Sequence, residues 1–275
     1  MAGHGANPLS HVQDSPHLEI PWFSNWPEMQ VTWHLPQVLG IQITKFMVME
    51  VVAALLVVAI MVPMARMVAR RPVTKGRFGN AFEAMLLFIR DEVARPSIGG
   101  HGADEYLPFL WTVFFFVLFC NLLGMIPGLA SATGNINVTF ALAMMTLAMV
   151  ILAGVKQAGF VGYWVGLVPH LDVPPWLKPF LWVLMFFIEI AGLLIRHVVL
   201  AVRLFANMFA GHMVLAVILG FILMAWHVGA FYLVMPASVL GVIALSLLEL
   251  FVAFLQAYIF TFLSALFIGT SVHPH

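Results

Sequence analysis

Only four residues beyond Lys178 carry a formal charge, and all four lie in otherwise apolar segments: Glu189, Arg196, Arg203 and Glu249. A charge near the centre of a bilayer costs at least about 2.5 to 3.5 kcal/mol on insertion scales, so such residues are functional candidates by default. Buried ionisable groups of this kind mark ion pathways and proton relays. These residues are the first candidates for a functional site.

The charges of the first segment are regularly spaced. Glu189, Arg196 and Arg203 recur every seven positions. At about 100° per residue, their direction drifts by only about 20° per step. They therefore form one polar stripe, and Asn207, four residues beyond Arg203, extends it. His212 is nine residues from Arg203, roughly 180° around an unbroken helix, so it faces a different neighbour.

Glu249 and Gln256 are also seven residues apart and share one face of the final predicted helix. A purely structural interpretation exists for this pattern. Arg203 and Glu249 can form an ion pair that holds two helices together. Amides such as Asn207 and Gln256 often link membrane helices through hydrogen bonds. The spacing alone leaves both interpretations open.

Glu189 and Arg196 lie closer to an interface, where they can be a structural pair whose side chains reach the headgroups. His212, considered alone, is compatible with a packed and hydrogen-bonded histidine. The histidines of the two termini have no metal-ligand spacing, so we predict neither a metal site nor a cofactor. These histidines are His4, His11, His17, His273 and His275.

The composition restricts the class of protein. Apolar residues make up 63% of the chain and charged residues 9%, against about 25% charged in a soluble domain. The formal net charge is zero, which gives no sign of nucleic-acid binding. The single cysteine, Cys120, excludes an internal disulfide framework. The chain is therefore expected to reside in a membrane.

A first span is predicted at about 46–65, directly before a cluster of positive charges. Cytoplasmic loops are enriched in Lys and Arg, and the first 44 residues contain neither; the cluster is therefore placed inside and the N-terminus outside. Segment 78–93 is too charged to span and has an apolar stripe, which predicts an amphipathic helix on the inner surface. The cluster consists of Arg66, Arg70, Arg71, Lys75 and Arg77.

Two further spans are predicted at about 107–123 and about 138–156. The Gly- and Pro-containing segment up to Lys178, which holds His170 and Asp172, is predicted to be an inner loop. Beyond it, two long stretches exceed the length that a bilayer core requires. The last two helices must therefore tilt, lie nearly flat or break at glycines, of which Gly211 and Gly220 are candidates.

The predicted fold is an all-α integral membrane protein with about five membrane-crossing helices and one interfacial amphipathic helix. Residues 1–45 are expected to form an extramembrane leader and 46–275 a single membrane domain. The last two helices, about 179–227 and 236–269, form a hairpin that carries all seven candidate residues. Five crossings place the C-terminus on the cytoplasmic side.

The sequence resembles a known family. The run IRHVVLAVRLFANMFAGH at 195–212, with FVAFLQAYIF at 251–260, is similar to the a subunit of F-type ATP synthases. Three shorter matches support this resemblance, which extends over roughly 46–268: KGRF at 75–78, NLLGMIPG at 121–128 and NVT at 137–139. The chain departs from the usual pattern at Ala206, where Gly is common, and at Asn135, where Asp is common.

The resemblance implies roles for the candidate residues. Arg203 corresponds to the family's essential arginine, Asn207 to its polar neighbour and Gln256 to the glutamine that faces it. His212 and Glu249 occupy two positions that hold an acid and a histidine in either order, and they are expected to exchange protons in the outer half-channel.

Glu189 and Arg196 match a polar pair that lines the inner access route. The implied function is proton conduction by the stator of a rotary ATP synthase, in which this subunit catalyses no covalent reaction itself. The implied partners are a ring of c subunits, the b subunits of the peripheral stalk and the other synthase subunits, in a bacterial inner membrane.

Two other classes use buried charges or histidines. A secondary transporter or ion channel typically shows internal repeats, which are not visible in this sequence. A haem-binding respiratory subunit needs axial histidines on facing helices, whereas His197 and His212 share one predicted helix and His227 falls at a turn. The coupling ion, H⁺ or Na⁺, is not defined by this chain, because the selecting site lies on the c subunit.

Overall fold

A computed structural model describes most of the chain. The residues predicted above that lie outside its described part are Arg71, Lys75, His170, Asp172, His227, His4, His11, His273 and His275. The described residues are 17–21, 30–34, 37–38, 41–70, 77–100, 102–126, 131–168, 174, 176–225 and 231–272.

Eight α-helices account for nearly all of the described residues. A π-helical segment, Ile89–Ala94, joins the second helix to the third, and a 3₁₀ turn, Ala132–Gly134, precedes the fifth. The helices are α1 (Lys45–Arg70), α2 (Arg77–Phe88), α3 (Arg95–Ile98), α4 (Ala103–Gly124), α5 (Ile136–Ala158), α6 (Phe160–Gly166), α7 (Lys178–Ala225) and α8 (Phe231–Val272).

Five of these helices, α1, α4, α5, α7 and α8, are long and apolar enough to cross a membrane. The predicted helical membrane fold with five crossings is therefore confirmed. In hydrocarbon every backbone polar group must be bonded within the structure, and an α-helix achieves this within one segment. Long runs of Leu, Val, Ile, Phe and Ala consequently form helices here despite their β-branched content.

The last two membrane helices are exceptionally long. α7 has 48 residues and α8 has 42, which correspond to about 72 Å and about 63 Å at 1.5 Å per residue. α7 continues without interruption through Gly211 and Gly220. The sequence allowed α7 to tilt, to lie nearly flat or to break at these glycines. The helix does not break there.

The predicted amphipathic segment forms one continuous helical run from α2 through the π-helical segment to α3. Ile89 and Val93 are buried on one side of the run. On the exposed side, Arg90 and Arg95 both donate hydrogen bonds to Asp91. The hydrogen bond from Arg90 holds the pKa of Asp91 below its usual value. Apolar and charged side chains thus separate as predicted for an interfacial helix.

Two regions differ from the sequence-based expectation of loops. A seven-residue helix, α6, lies within the segment predicted as the inner loop; it begins after Gly159, whose φ of +77° ends α5. In the N-terminal leader, β1 (His17–Pro21) pairs antiparallel with β2 (Gln30–His34), and β3 (Gln37–Val38) pairs with β4 (Ile41–Gln42). The membrane-crossing part remains entirely helical.

The start of α5 is capped by a side chain. Asn135 accepts a hydrogen bond from the backbone N–H of Asn137 through its Oδ1 at 2.9 Å. Such a contact satisfies a backbone donor that the first helical turn leaves free. Asn135 therefore supplies the same backbone contact that an aspartate can make at this position.

The chain divides into two compact units. The boundary between them falls within each of the five long helices, α1, α4, α5, α7 and α8. Unit 1 contains the hairpins of the leader, the C-terminal part of α7 and the N-terminal part of α8. The units are Met1–Pro63, Phe115–Val138 and Leu204–Ala257 (unit 1), and Met64–Phe114, Thr139–Arg203 and Tyr258–His275 (unit 2).

The C-terminal end of α8 is tightly packed within unit 2. Ser271 is buried and donates a hydrogen bond from its Oγ to the backbone oxygen of Val150 on α5 at 2.8 Å. Gly269 lies against the backbone of Ser97, such that a Cβ at this glycine would be 2.8 Å from the Ser97 carbonyl carbon. Backbone-to-backbone packing of this kind requires the absence of a side chain.

Gly269→Ala is therefore expected to destabilise the protein. The added methyl group meets backbone atoms that cannot rotate away, and overpacking of this kind costs typically about 1 to 3 kcal/mol. Thermal unfolding of the detergent-solubilised protein measures the effect. The matched control is Gly166→Ala in the same unit, where a Cβ would meet nothing within 4 Å; equal stability of the two variants would contradict the packing described here.

Candidate functional site

α7 and α8 carry all seven candidate residues. Because α7 is a continuous helix, the seven-residue spacing of its charges produces a stripe along one side of it. The remaining candidates follow on α7 and on the middle of α8. The α7 residues are Glu189, Arg196, Arg203, Asn207 and His212, and the α8 residues are Glu249 and Gln256.

His212 and Glu249 meet in unit 1. His212 Nδ1 lies 3.8 Å from Glu249 Oε1, and the Glu249 side chain is only 7% exposed. This distance is too long for a hydrogen bond. Glu249 Oε1 and His212 Nε2 are both buried and have no hydrogen-bond partner among the described residues. An acid and an imidazole thus lie next to each other, and each has one polar atom without a hydrogen bond to a described residue.

Gly211 makes room for this carboxylate, a role that the sequence analysis did not predict. A Cβ at Gly211 would be 2.7 Å from Glu249 Oε1 and 3.2 Å from its Cδ. The glutamate therefore occupies space that any other residue at this position would fill. The only sequence signal was the glycine directly before His212, which was considered as a helix break instead.

A buried polar network in unit 1 fixes α8 one turn beyond Glu249. Asn121 on α4 donates a hydrogen bond from Nδ2 to the backbone oxygen of Ala253 at 3.3 Å. Thr133 donates to Asn121 Oδ1 at 2.7 Å, and its hydroxyl is 2.8 Å from that of Ser131. Asn121, Ser131 and Thr133 are all at most 2% exposed. This network holds the α8 backbone next to the carboxylate.

The other polar residues of the α7 stripe are less enclosed. Arg203 and Asn207 are half-buried, whereas Gln256 on α8 is only 5% exposed. Within unit 2, Arg203 forms no ion pair with any described residue. The titratable side chain that the Glu249 carboxylate meets in unit 1 is His212, at 3.8 Å.

Glu189 and Arg196 lie nearer the beginning of α7. Glu189 is half-buried and Arg196 is exposed. Both are described residues of unit 2, and they form no ion pair with each other. The part of α7 that carries them therefore shows two charged side chains that are not joined directly to each other.

His197, next to Arg196, is a further buried ionisable group. Its Nδ1 donates a hydrogen bond to the backbone oxygen of Leu193 at 2.8 Å, and its ring centroid is 5.1 Å from that of Phe267 on α8. This bond places the ring proton on Nδ1 in the neutral form. The sequence analysis considered His197 only as a haem ligand, because one histidine in an apolar helix carries no spacing signal.

The long apolar helices define a multi-pass membrane protein, and within unit 1 a buried acid meets a histidine. The family model described as ATP synthase A chain matches residues 47–269. The chain belongs to the ATP synthase A chain family, and it is a proton-translocating subunit of the membrane sector of an ATP synthase. Its partners are other subunits of that complex.

Several curated proteins are similar over nearly the whole chain. The ATP synthase subunit a of Myxococcus xanthus is 42% identical, and the match covers 98% of this chain and 89% of that protein. The ATP synthase subunit a of Chlorobium phaeobacteroides is 42% identical over 98% of this chain and 77% of its own length. That of Pelodictyon phaeoclathratiforme is 44% identical over 97% and 77%, respectively.

Gly211→Ala tests the position of the carboxylate. The new methyl group meets the end of a flexible side chain, so the fold should persist while Glu249 is forced away from its place. We expect normal amounts of assembled complex and a loss of at least about tenfold in proton pumping, of the size that a misplaced functional group produces. ATP-driven acidification of membrane vesicles measures this.

The control for this variant is Gly220→Ala on the same helix, where a Cβ would meet nothing within 4 Å. This change should leave pumping near the wild-type level, because alanine is favoured over glycine in a helix interior. Normal pumping by Gly211→Ala would show that the Glu249 carboxylate does not need its present position.

Proposed function

We propose that this subunit provides two offset half-channels to a ring of c subunits, with Arg203 as a fixed positive charge between them. The observation that carries the proposal is the arrangement of α7 and α8. An unbroken helix presents a stripe of polar residues, and a buried acid–histidine contact lies further along it. A rotating ring needs such an arrangement, because each ring carboxylate must be neutral in lipid and must meet each side of the membrane separately.

Arg203 is suited to separate the half-channels because its guanidinium keeps its proton. An arginine side chain remains charged in proteins, whereas a buried lysine readily becomes neutral. A fixed cation that faces the ring keeps each passing carboxylate ionised and prevents protons from crossing directly. Its half-burial, without an ion-pair partner among the described residues of unit 2, supports a partner from another subunit.

His212 and Glu249 form the proposed exchange site of the outer half-channel. A carboxyl group removed from water and an imidazole can both exchange protons near neutral pH. Their separation of 3.8 Å allows a proton to pass after a small movement of either side chain. The absence of a side chain at Gly211 gives the carboxylate its place beside α7.

Glu189 and Arg196 are assigned to the inner half-channel, since they lie at the other end of the stripe. Asn207 and Gln256 are assigned, from the family correspondence, as the polar residues that accompany Arg203 in the ion path. The ring of c subunits and the b subunits of the peripheral stalk are the partners proposed for the membrane sector.

The proposed location is a bacterial inner membrane, with the N-terminus outside and the C-terminus in the cytoplasm. The absence of Lys and Arg from the first 44 residues supports this orientation. Residues 1–45 then form the leader on the outer side and 46–275 the membrane domain, whose last two helices carry the ion path.

Arg203→Ala should leave the complex assembled and abolish ATP-driven proton pumping. The ring carboxylates lose the charge that keeps them ionised between the half-channels. Arg203→Lys should also lose at least about nine-tenths of pumping, since lysine can release its proton beside the ring. Vesicle acidification measures pumping, and Arg66→Lys, the same exchange at an exposed arginine, is the control.

The same vesicles distinguish the proposal from a structural role. With the half-channels joined, Arg203→Ala vesicles should conduct protons passively once a membrane potential is imposed. A structural ion pair predicts the reverse, namely loss of the complex in the single variant and recovery when Arg203 and Glu249 are both replaced by apolar residues. That recovery, or normal pumping by Arg203→Ala, would contradict the proposal.

A further inference from the structure

One acid in a membrane-crossing helix has no place in the ion path described above. Glu50 is the sixth residue of α1, in a segment that is apolar enough to cross a membrane. The first turn of α1 contains no acidic residue, and Glu50 lies beyond that turn, so the positive end of the helix does not account for it. Among the described residues Glu50 forms no ion pair. A carboxylate in such a segment is costly, and function is its default explanation.

Glu50 lies on the side of α1 that packs against protein. The opposite side of this part of the helix is apolar and exposed. Glu50 is four residues after Phe46 and seven before Val57, so it shares a helix face with both of them. It is half-buried at the edge of this face. The buried residues of the face are Phe46, Met49, Ala53 and Val57.

The neighbour of Glu50 on this side is α4. Glu50 is within electrostatic range of the Cys120 thiol, and both residues belong to unit 1. Cys120 is buried four residues before α4 ends at Gly124. Because the chain crosses in α1 and returns in α4, the beginning of α1 and the end of α4 are on the same side of the membrane. Glu50 and Cys120 therefore meet toward that side.

A cluster of hydroxyl and amide groups continues from Cys120. Its backbone oxygen accepts a hydrogen bond from Ser131 Oγ at 3.4 Å, and Ser131 Oγ lies 2.8 Å from Thr133 Oγ1. Thr133 donates to Asn121, which in turn donates to the backbone oxygen of Ala253 on α8. A connected set of polar groups therefore reaches from the neighbourhood of the α1 carboxylate to α8.

The α8 end of this cluster is one helical turn from the acid–histidine contact. Ala253 follows Glu249 by four residues, which is about 6 Å along an α-helix. Glu249 and His212 both belong to unit 1 and lie 3.8 Å apart. Unit 1 thus contains a half-buried acid near the start of a span, a buried acid, and a hydroxyl and amide cluster linked to both regions.

We propose that Glu50 is a further proton-carrying residue, which takes up protons from the outer aqueous phase and passes them through the hydroxyls of Ser131 and Thr133 to Glu249. This inference rests on the proposed outer half-channel and names its entry group. In one transfer the Glu50 carboxylate binds a proton from water. Glu249 becomes protonated as Glu50 returns to its anion. A hydroxyl suits the intervening step because it donates its own hydrogen while its oxygen accepts another.

The rank order of two substitutions tests this role. Glu50→Gln keeps the size of the side chain and removes the proton-binding group, whereas Glu50→Asp keeps the carboxyl group and shortens the side chain. ATP-driven pumping per assembled complex should fall at least about tenfold in Glu50→Gln; a positioned proton-transfer group contributes about a hundredfold or more, but water can partly bypass an entry residue. Glu50→Asp should retain more pumping than Glu50→Gln.

A structural role predicts the opposite order, because glutamine preserves the packing better than aspartate does. Glu92→Gln, the same exchange at an exposed acid of the amphipathic run, is the control and should leave pumping unchanged.

A third variant restores the carboxylate on the assembled protein. In Glu50→Cys, iodoacetate applied to intact cells converts the thiol into a thioether that carries a carboxylate, and iodide leaves. Iodoacetamide gives an uncharged amide of nearly the same size. Pumping by vesicles from these cells should rise severalfold with iodoacetate and stay low with iodoacetamide. The native Cys120 is buried, and wild-type cells treated with each reagent are the background control.

Any of three results would overturn the proposal. The first is pumping by Glu50→Gln at the wild-type level. The second is pumping by Glu50→Gln that equals or exceeds that of Glu50→Asp. The third is an equal effect of the two reagents on Glu50→Cys, which includes a thiol that neither reagent reaches from the outer side.

Failure of the half-channels themselves would give a different result. Without half-channels, Arg203→Ala vesicles do not conduct protons passively, whatever residue is at position 50, and both proposals fall. If those vesicles conduct, the addition of Glu50→Gln should lower their passive proton flux at least about tenfold, for the same reason as in pumping. An unchanged flux would count against Glu50 alone.

Discussion

The burial of the Glu249 carboxylate is the constraint on which the rest of the site depends. A carboxylate in an apolar helix needs space, a polar partner and a fixed backbone, since an isolated buried charge is very costly. Gly211 leaves the space, His212 provides the partner at 3.8 Å, and Asn121 holds the backbone at Ala253. Removing any one of these would leave the acid either displaced or without compensation.

The long helices turn this local arrangement into a path. Because α7 is a continuous helix of 48 residues, the same helix carries the stripe from Glu189 through Arg203 and also carries His212. The proposed fixed charge and the proposed exchange residue thus follow one another along a single helix. α8 is anchored at its C-terminal end through Gly269 and Ser271.

The sequence predicts the membrane helices and the charged residues because both depend on composition and on spacing within one helix. The contact of His212 with Glu249 was suggested only by the family resemblance. Gly211, and the network of Asn121 with Thr133, could not be predicted, because they depend on how segments distant in sequence pack together. The hairpin from His17 to His34 was missed for a related reason: its five-residue strands are short, and their alternation becomes informative only once the register is known.

The central claim is that His212 and Glu249 act as one exchange pair, and their reciprocal exchange tests it most directly. His212→Glu alone leaves two acids and Glu249→His alone leaves two histidines, whereas the double variant restores one of each. Proton pumping by vesicles that contain the double variant should exceed that of either single variant. Losses that simply add, as expected for independent sites, would contradict the account.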